Sequence, residues 1–194
     1  MKEQQEVMEA EQEVMKEEQE VMEDVIAHTQ PSPCVFKMPK FNQHKKSQDE
    51  WYSPPFYIHP GSYKMCICVY ANGHGDGEGT HTSVFACLMR GKNDDNLSWP
   101  FTGKVTITLL NQLEDKNHHT KAVEFPQEVQ TEVNVRVVNS DRADRGYGWV
   151  EFISCNQLDY HAEQNFQYLE DDCLYFRIVA RASDPLKSWL TCTN

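Results

Sequence analysis

A seven-residue repeat opens the chain and then stops, and this change of period does most to limit what the chain can fold into. Residues 3 to 23 read as three copies, EQQEVME, AEQEVMK and EEQEVME. A sustained period of seven is the pattern of a coiled coil. Met8, Met15 and Met22 fall at one core position of such a coil. Gln5, Gln12 and Gln19 fall at the other, a series that continues into Ile26. Val7, Val14 and Val21 lie beside that seam and widen it. The glutamates, glutamines and lysines between them favour helix, but glutamates on all sides repel one another. Two readings therefore stand, a solvated acidic helix and the end of a parallel oligomerising coil. Gln30-Pro31-Ser32-Pro33 terminates either one.

From Cys34 onward the pattern becomes short apolar runs broken by turn residues, the signature of strands. Strands are expected at Cys34–Met38, Phe56–His59, Tyr63–Ala71, Thr80–Arg90, Lys104–Asn111, Lys121–Phe125, Val133–Val138, Trp149–Ser154 and Cys173–Arg181. The segment from Asn72 to Gly79 has four alternate glycines, which supply positive φ and a tight reversal, so a hairpin is expected there. A phosphate-cradling loop would need a helix after it, and Thr80 to Arg90 alternates like a strand instead. Eight or nine strands at this spacing imply two antiparallel sheets packed face to face. The expected core is Phe36, Tyr63, Met65, Ile67, Val69, Phe85, Leu88, Trp99, Phe101, Val105, Ile107, Leu109, Phe152, Leu174, Phe176 and Ile178. The organisation is thus an acidic heptad segment over 1–28, a Pro-containing linker over 29–33, an all-β sandwich over 34–182 and a tail over 183–194.

Charge narrows the partners. The chain has a net charge of −12, and residues 1 to 26 hold ten acids against two lysines, which leaves only −4 for the remainder. Neither part has the Lys/Arg surplus that phosphate neutralisation requires, so nucleic acid is not an expected partner. No apolar run approaches the ~20 residues of a membrane span and no secretory signal opens the chain, so a soluble, cytoplasmic protein without membrane insertion is expected. Seven cysteines include no C-x-x-C pair, and Cys66 and Cys68 share one face of a strand. Reduced core thiols are expected. His118-His119 are expected in a polar loop, and no His/Cys spacing fits structural zinc. Asp94-Asp95-Asn96 and Glu170-Asp171-Asp172 lack the alternating oxygen ligands of a calcium loop and read as polar turns. Neither a cofactor nor a metal is expected. No nucleophile turn, G-x-S-x-G or H-E-x-x-H is present, and Glu78-Gly79-Thr80-His81 reads as the entry to a strand, so an enzyme is not expected.

Several segments together carry a family resemblance. Ser53-Pro54-Pro55-Phe56-Tyr57, Gly61 to Cys66 and Tyr70-Ala71-Asn72-Gly73 through Gly79-Thr80-His81-Thr82-Ser83 resemble, in order and spacing, the TRAF domain of the TNF receptor-associated factors. Trp99-Pro100-Phe101, the Val105–Leu110 run and Asn111-Gln112 are similar to that family's W-P-F…L-L-D-Q segment. Gly146 to Phe152 and Leu169 to Ile178 resemble its last strands, and Cys34 to Phe41 its first. The resemblance covers residues 33 to 182.

It implies an eight-stranded antiparallel sandwich of MATH type on a trimerising coil. It further implies a cytoplasmic adaptor that binds short extended peptides of receptor cytoplasmic tails or adaptor partners, as a homotrimer or in mixed trimers. The RING and zinc fingers that ligate ubiquitin in the family lie upstream of this domain, so this chain is expected to bind and cluster without ligating. Position by position, the resemblance assigns Tyr70 and Phe85 to a peptide shelf, and Tyr147, Gly148 and Trp149 to the segment flanking the peptide. Phe125 matches a pocket phenylalanine. Cys68 stands where the family carries a peptide-contacting arginine, and His74 where an acid is common. Thr131-Glu132-Val133-Asn134 replaces a serine cluster. Loss of the arginine removes a charge-assisted hydrogen bond of ~1.5–3 kcal/mol, so a neutral or basic peptide is expected in place of an acidic one. The resemblance leaves a second role open, an oligomerisation partner of other TRAF chains without its own peptide.

Overall fold

The computed structural model describes residues 32–125, 133–137 and 145–183, together with residues 8, 11, 12, 14–16, 18, 19, 21, 22 and 25. The described residues between 8 and 25 are helical, and Met8, Met15 and Met22 are exposed. Ile26, the linker up to residue 31, Val138 and the tail from residue 184 lie outside the described residues.

Strand propensity and alternation are realised as β1 (Cys34–Met38), β2 (Glu50–Tyr52), β3 (Phe56–Tyr57), β4 (Lys64–Tyr70), β5 (His81–Met89), β6 (Gly103–Leu109), β7 (His119–Phe125), β8 (Gly146–Ser154) and β9 (Leu174–Ala182). One sheet runs β1-β9-β6-β7, and the other β2-β4-β5-β8 with β3 beside β4. All pairings are antiparallel. The expected sandwich is present: the strand expected at Phe56–His59 is realised as the two-residue β3, and the three-residue β2 is added. Between the sheets Met65, Ile67 and Val69 of β4 and Val84, Ala86 and Leu88 of β5 meet Val105, Ile107 and Leu109 of β6 and Leu174, Phe176 and Ile178 of β9, all buried. Each such side chain contributes ~1.5–3 kcal/mol of transfer free energy against the ordering of the chain.

Four expectations need correction. Residues 133–137 form a turn, because Asn134 is buried and its carbonyl accepts the Phe101 N–H at 2.7 Å. His119 is the first residue of β7 and not part of a loop; its Nε2 donates to the Phe152 carbonyl at 2.8 Å. Phe85 leaves the core to Val84 and Ala86, since neighbours on a strand point to opposite faces. Trp99 is only half-buried, with Nε1 donating to the Asp94 carbonyl at 3.0 Å while Tyr63 packs edge-on against it.

The unforeseen helix α1 (Phe41–Ser47) buries only Phe41. Its start is fixed from afar: the Asp172 carbonyl accepts the Phe41 N–H at 3.0 Å and the Asp172 carboxylate accepts the Asn42 N–H at 2.8 Å. The glycine turn forms the expected hairpin between β4 and β5. Gly73 and Gly79, at φ 81° and 74°, close it through the Gly79 N–H donated to the Asn72 carbonyl at 2.6 Å.

Candidate functional site

The ladder pattern fixes which backbone groups are open. Ser53 N–H donates to the Ile67 carbonyl at 2.9 Å, and the Ile67 N–H to Ser53 Oγ at 3.0 Å, so Ile67 turns its backbone toward β2. Adjacent residues of an antiparallel strand turn theirs to opposite sides. Cys66 and Cys68 therefore face β5, where Cys87 and Phe85 stand opposite them. Val84 and Ala86 in turn face β8, opposite Trp149 and Tyr147. The N–H and C=O of Gly146 and Gly148 are left pointing outward. Strand β8 is an edge, and among the described residues no strand pairs with its outer side.

That edge is open over only part of its length. The Glu151 carbonyl accepts from Lys121 Nζ at 2.7 Å, and the Phe152 carbonyl from His119 Nε2 at 2.8 Å. Both donors come from β7 of the other sheet. Val150 is engaged from within, its carbonyl accepting from Ser83 Oγ. Among the described residues, the unengaged part is the Gly-Tyr-Gly-Trp segment at the start of β8.

The outer face beside it carries a second apolar cluster, separate from the main core. Cys66, Cys68, Cys87 and Met89 are buried there, with Tyr52, Tyr70 and Phe85 packed over them. Tyr70 and Phe85 meet edge-on at 6.0 Å, and His74 lies 4.7 Å from Tyr70 and 6.0 Å from Phe85. No side chain rises from Gly146 or Gly148 next to them. A Cβ at Gly148 would sit 2.7 Å from Phe85 Cα, and one at Gly146 2.6 Å from Phe85 Cβ. The face is thus a shelf of aromatic rings stepping down onto bare backbone.

The eight residues singled out in the sequence fall into two groups. Cys68, Tyr70, His74 and Phe85 come together on the outer face. Tyr147, Trp149 and Phe125 lie on the other side of β8, at the mouth between the sheets: Tyr147 packs on Phe125 at 5.4 Å, Phe125 on Phe101 at 5.0 Å, and Trp149 on Phe152 at 5.7 Å. Gly148 joins the groups, standing opposite Phe85. Glu50, Tyr52, Cys87 and Met89 also belong to the outer face. Only the run Glu50-Trp51-Tyr52 signalled any of them, as a short alternating segment whose aromatics point to opposite sides.

The shelf is uncharged at its centre. Burial pushes the Cys68 thiol up to about 12, helped by the neighbouring Cys87, while the hydroxyls of Tyr52 and Tyr70 hydrogen-bond it. Burial likewise raises Tyr70 to about 12, and Tyr52 is raised further. Cys87 is raised by its hydrogen bond with Cys66 and by burial. These groups stay protonated near neutrality, which makes the thiols packing elements and poor nucleophiles. Among the described residues no group of three or more His, Cys, Asp or Glu is arranged to hold a metal, and no helix is long and apolar enough to cross a membrane.

Comparisons with known proteins agree with the fold. Residues 48–177 match the family model described as TRAF/meprin, MATH domain. Human TNF receptor-associated factor 2 is 35% identical over 128 residues, covering 66% of this chain and 24% of that protein. Human TNF receptor-associated factor 5 is 42% identical over 137 residues, covering 69% and 22%. The chain thus matches about a quarter of the length of these relatives. Among solved structures, Notothenia coriiceps TRAF5 superimposes with a TM-score of 0.73 at 25% identity, covering 93% of this chain and 88% of the other.

Proposed function

The chain belongs to the TRAF/meprin MATH family, and on that premise we propose that it is a non-catalytic signalling adaptor of TNF receptor pathways that captures short extended peptides. The peptide comes from a receptor cytoplasmic tail or an adaptor partner. It pairs with the outward N–H and C=O of Gly146 and Gly148, then crosses the outer face over Phe85, Tyr70, His74 and Cys68. Main-chain hydrogen bonds supply affinity and the shelf supplies specificity, as in other cases of strand addition. Tyr147, Trp149 and Phe125 act from beneath, as the packing that holds β8 in place. One observation carries this reading: a partly open sheet edge of bare glycine backbone adjoins an aromatic shelf.

A shallow shelf holds a single peptide weakly. In this reading the heptads, with Met8, Met15, Met22 and Ile26 on the seam, join three copies in the cytoplasm, alone or in mixed trimers with other TRAF chains. Linked sites raise apparent affinity by ~10²–10⁴ without a new contact. Clustered tails are then favoured over isolated ones.

Selection from a random-peptide display library tests the reading. Enrichment of a short motif, lost in both Tyr70→Ala and Trp149→Ala, is the expected result. The absence of enrichment from a folded sample favours a second reading, an oligomerisation partner without its own peptide. The buried neutral Cys68 at the centre of the shelf speaks for that alternative. Mixing the chain with full-length TNF receptor-associated factor 2 and resolving mixed trimers by mass would identify it.

A further inference from the structure

The outer face has a charged corner that peptide capture alone does not use. The β2–β4 register sets Glu50 directly opposite Tyr70 and Tyr52 directly opposite Cys68. Glu50 and Tyr52 are two residues apart on a strand, so both rise from the same face as Tyr70 and Cys68. Glu50 is exposed, while Tyr52 and Tyr70 are half-buried, packed over the cluster that holds Cys68. His74 packs on Tyr70 at 4.7 Å. The rings thus pack against buried sulfurs and His74.

Among the described residues no Lys, Arg or His forms an ion pair with Glu50. Its carboxylate is the formal charge that bears on Tyr52, Cys68 and Tyr70 together. A carboxylate that acts on two tyrosine hydroxyls and a thiol at once attracts a cation and repels an anion, more strongly where water is partly excluded. The buried sulfurs and Phe85 lie inward of this corner. A ligand side chain that suits both parts has a long apolar stem and a charged head, the build of Lys and Arg.

We propose that the Glu50–Tyr52–Tyr70 corner receives a Lys or Arg side chain of the bound peptide and so selects cationic ligands. This rests on the peptide-binding reading above. Strand spacing sets the position of that residue. The residue that pairs with the outer side of β8 lies one spacing beyond it, so β2 is four strand spacings away, about 19 Å, and an extended peptide advances about 3.3 Å per residue. The cationic residue therefore lies about six positions from the residue that pairs with Gly148.

The test uses peptides enriched from a random library on the whole chain, resynthesised with the candidate position as Arg, Gln, norleucine or Glu. Affinities are measured by fluorescence anisotropy at low and high salt, for the native chain and for Glu50→Gln, a substitution at an exposed side chain. We expect Arg to bind about three- to tenfold tighter than Gln at low salt, with Glu weakest. High salt narrows the gap, and Glu50→Gln brings Arg and Gln to within about twofold. Enriched peptides that carry a carboxylate or an apolar side chain at that position overturn the proposal, as does an Arg preference unchanged in Glu50→Gln. Both results leave peptide capture standing. The absence of any enriched motif from folded protein overturns peptide capture itself, and this proposal with it.

Discussion

Phe85 on β5 stands directly opposite Gly148 on β8, and the missing side chain at 148 is what lets the two strands approach beneath the shelf. A Cβ at 148 meets Phe85 Cα at 2.7 Å and also runs into the Val84 carbonyl. Gly148→Val is therefore expected to push β8 outward, at a cost of roughly 1–3 kcal/mol. Thermal melting reads the stability loss, and peptide binding by the folded fraction should disappear with it. A variant with native melting temperature would show that the strands can separate there freely.

Asn111 is a hub on the far side of the sandwich. Its side chain donates to the carbonyls of Lys116 and Asn165 at 3.0 and 3.2 Å, and accepts the N–H groups of Leu113 and Gln167 at 3.1 and 2.9 Å. Asn111→Ala leaves those backbone groups without partners, and a loss of about 2–3 kcal/mol is expected. Hydrogen exchange should accelerate at the Leu113 and Gln167 amides before it does in β6. Uniform protection across both regions would contradict the hub.

His119 makes stability depend on mild acid. Burial, opposed by its hydrogen bond to the Phe152 carbonyl, lowers its pKa below the ordinary 6.5. As pH falls through 6.5 the unfolded chain takes up this proton before the folded one, so the unfolded state gains. Stability conferred by the neutral imidazole is thus present above about pH 6.5 and declines below it. Denaturation midpoints between pH 5 and 7 should show this slope, and His119→Gln should flatten it.

The thiols act at the other end of the scale. Cys34 and Cys68 rise from 9.0 to about 12 through burial, so the unfolded chain releases these protons first as pH climbs past 9. Stability is expected to fall steadily from about pH 9 toward 12. Alkylation at pH 8, followed by mass spectrometry, should modify the half-buried Cys155 well ahead of the buried Cys66, Cys68 and Cys87. Early modification of Cys68 would mean that the shelf opens in solution.

The heptad seam has its own readout. Met15→Glu places a charge at the centre of the proposed coil, and sedimentation velocity should move from trimer toward monomer. An unchanged mass would exclude this seam as the source of association.

The core was legible wherever one face of a strand is strictly apolar, as at Val105, Ile107 and Leu109, all buried. The glycine hairpin was legible because its backbone chemistry is local. Helix α1 was not, since its first N–H groups bond to Asp172, about 130 residues away in the chain. Residues 133–137 alternate like a strand, yet burial of Asn134 and its bond to Phe101 determine their conformation. At the site, the side-chain types were readable and their sides were not. Val84-Phe85-Ala86 is apolar at every position, and only the β4–β5 register decides that Phe85 faces out. Glu50 was invisible as a site residue because its meaning depends on Tyr70 across the ladder.

The two β7 donors that close the rear of β8 also bear on solubility. An open sheet edge invites a second copy to join edge to edge, a familiar route to aggregation. Antiparallel self-pairing of β8 would have to bring its rear half, from Glu151 on, against the front half of the other copy. Lys121 and His119 already occupy the Glu151 and Phe152 carbonyls. Only the front few residues remain for such a joint, too short a ladder to hold two domains together. A brief guest strand needs no more than that, so the proposed peptide would fit an edge that still refuses its own kind.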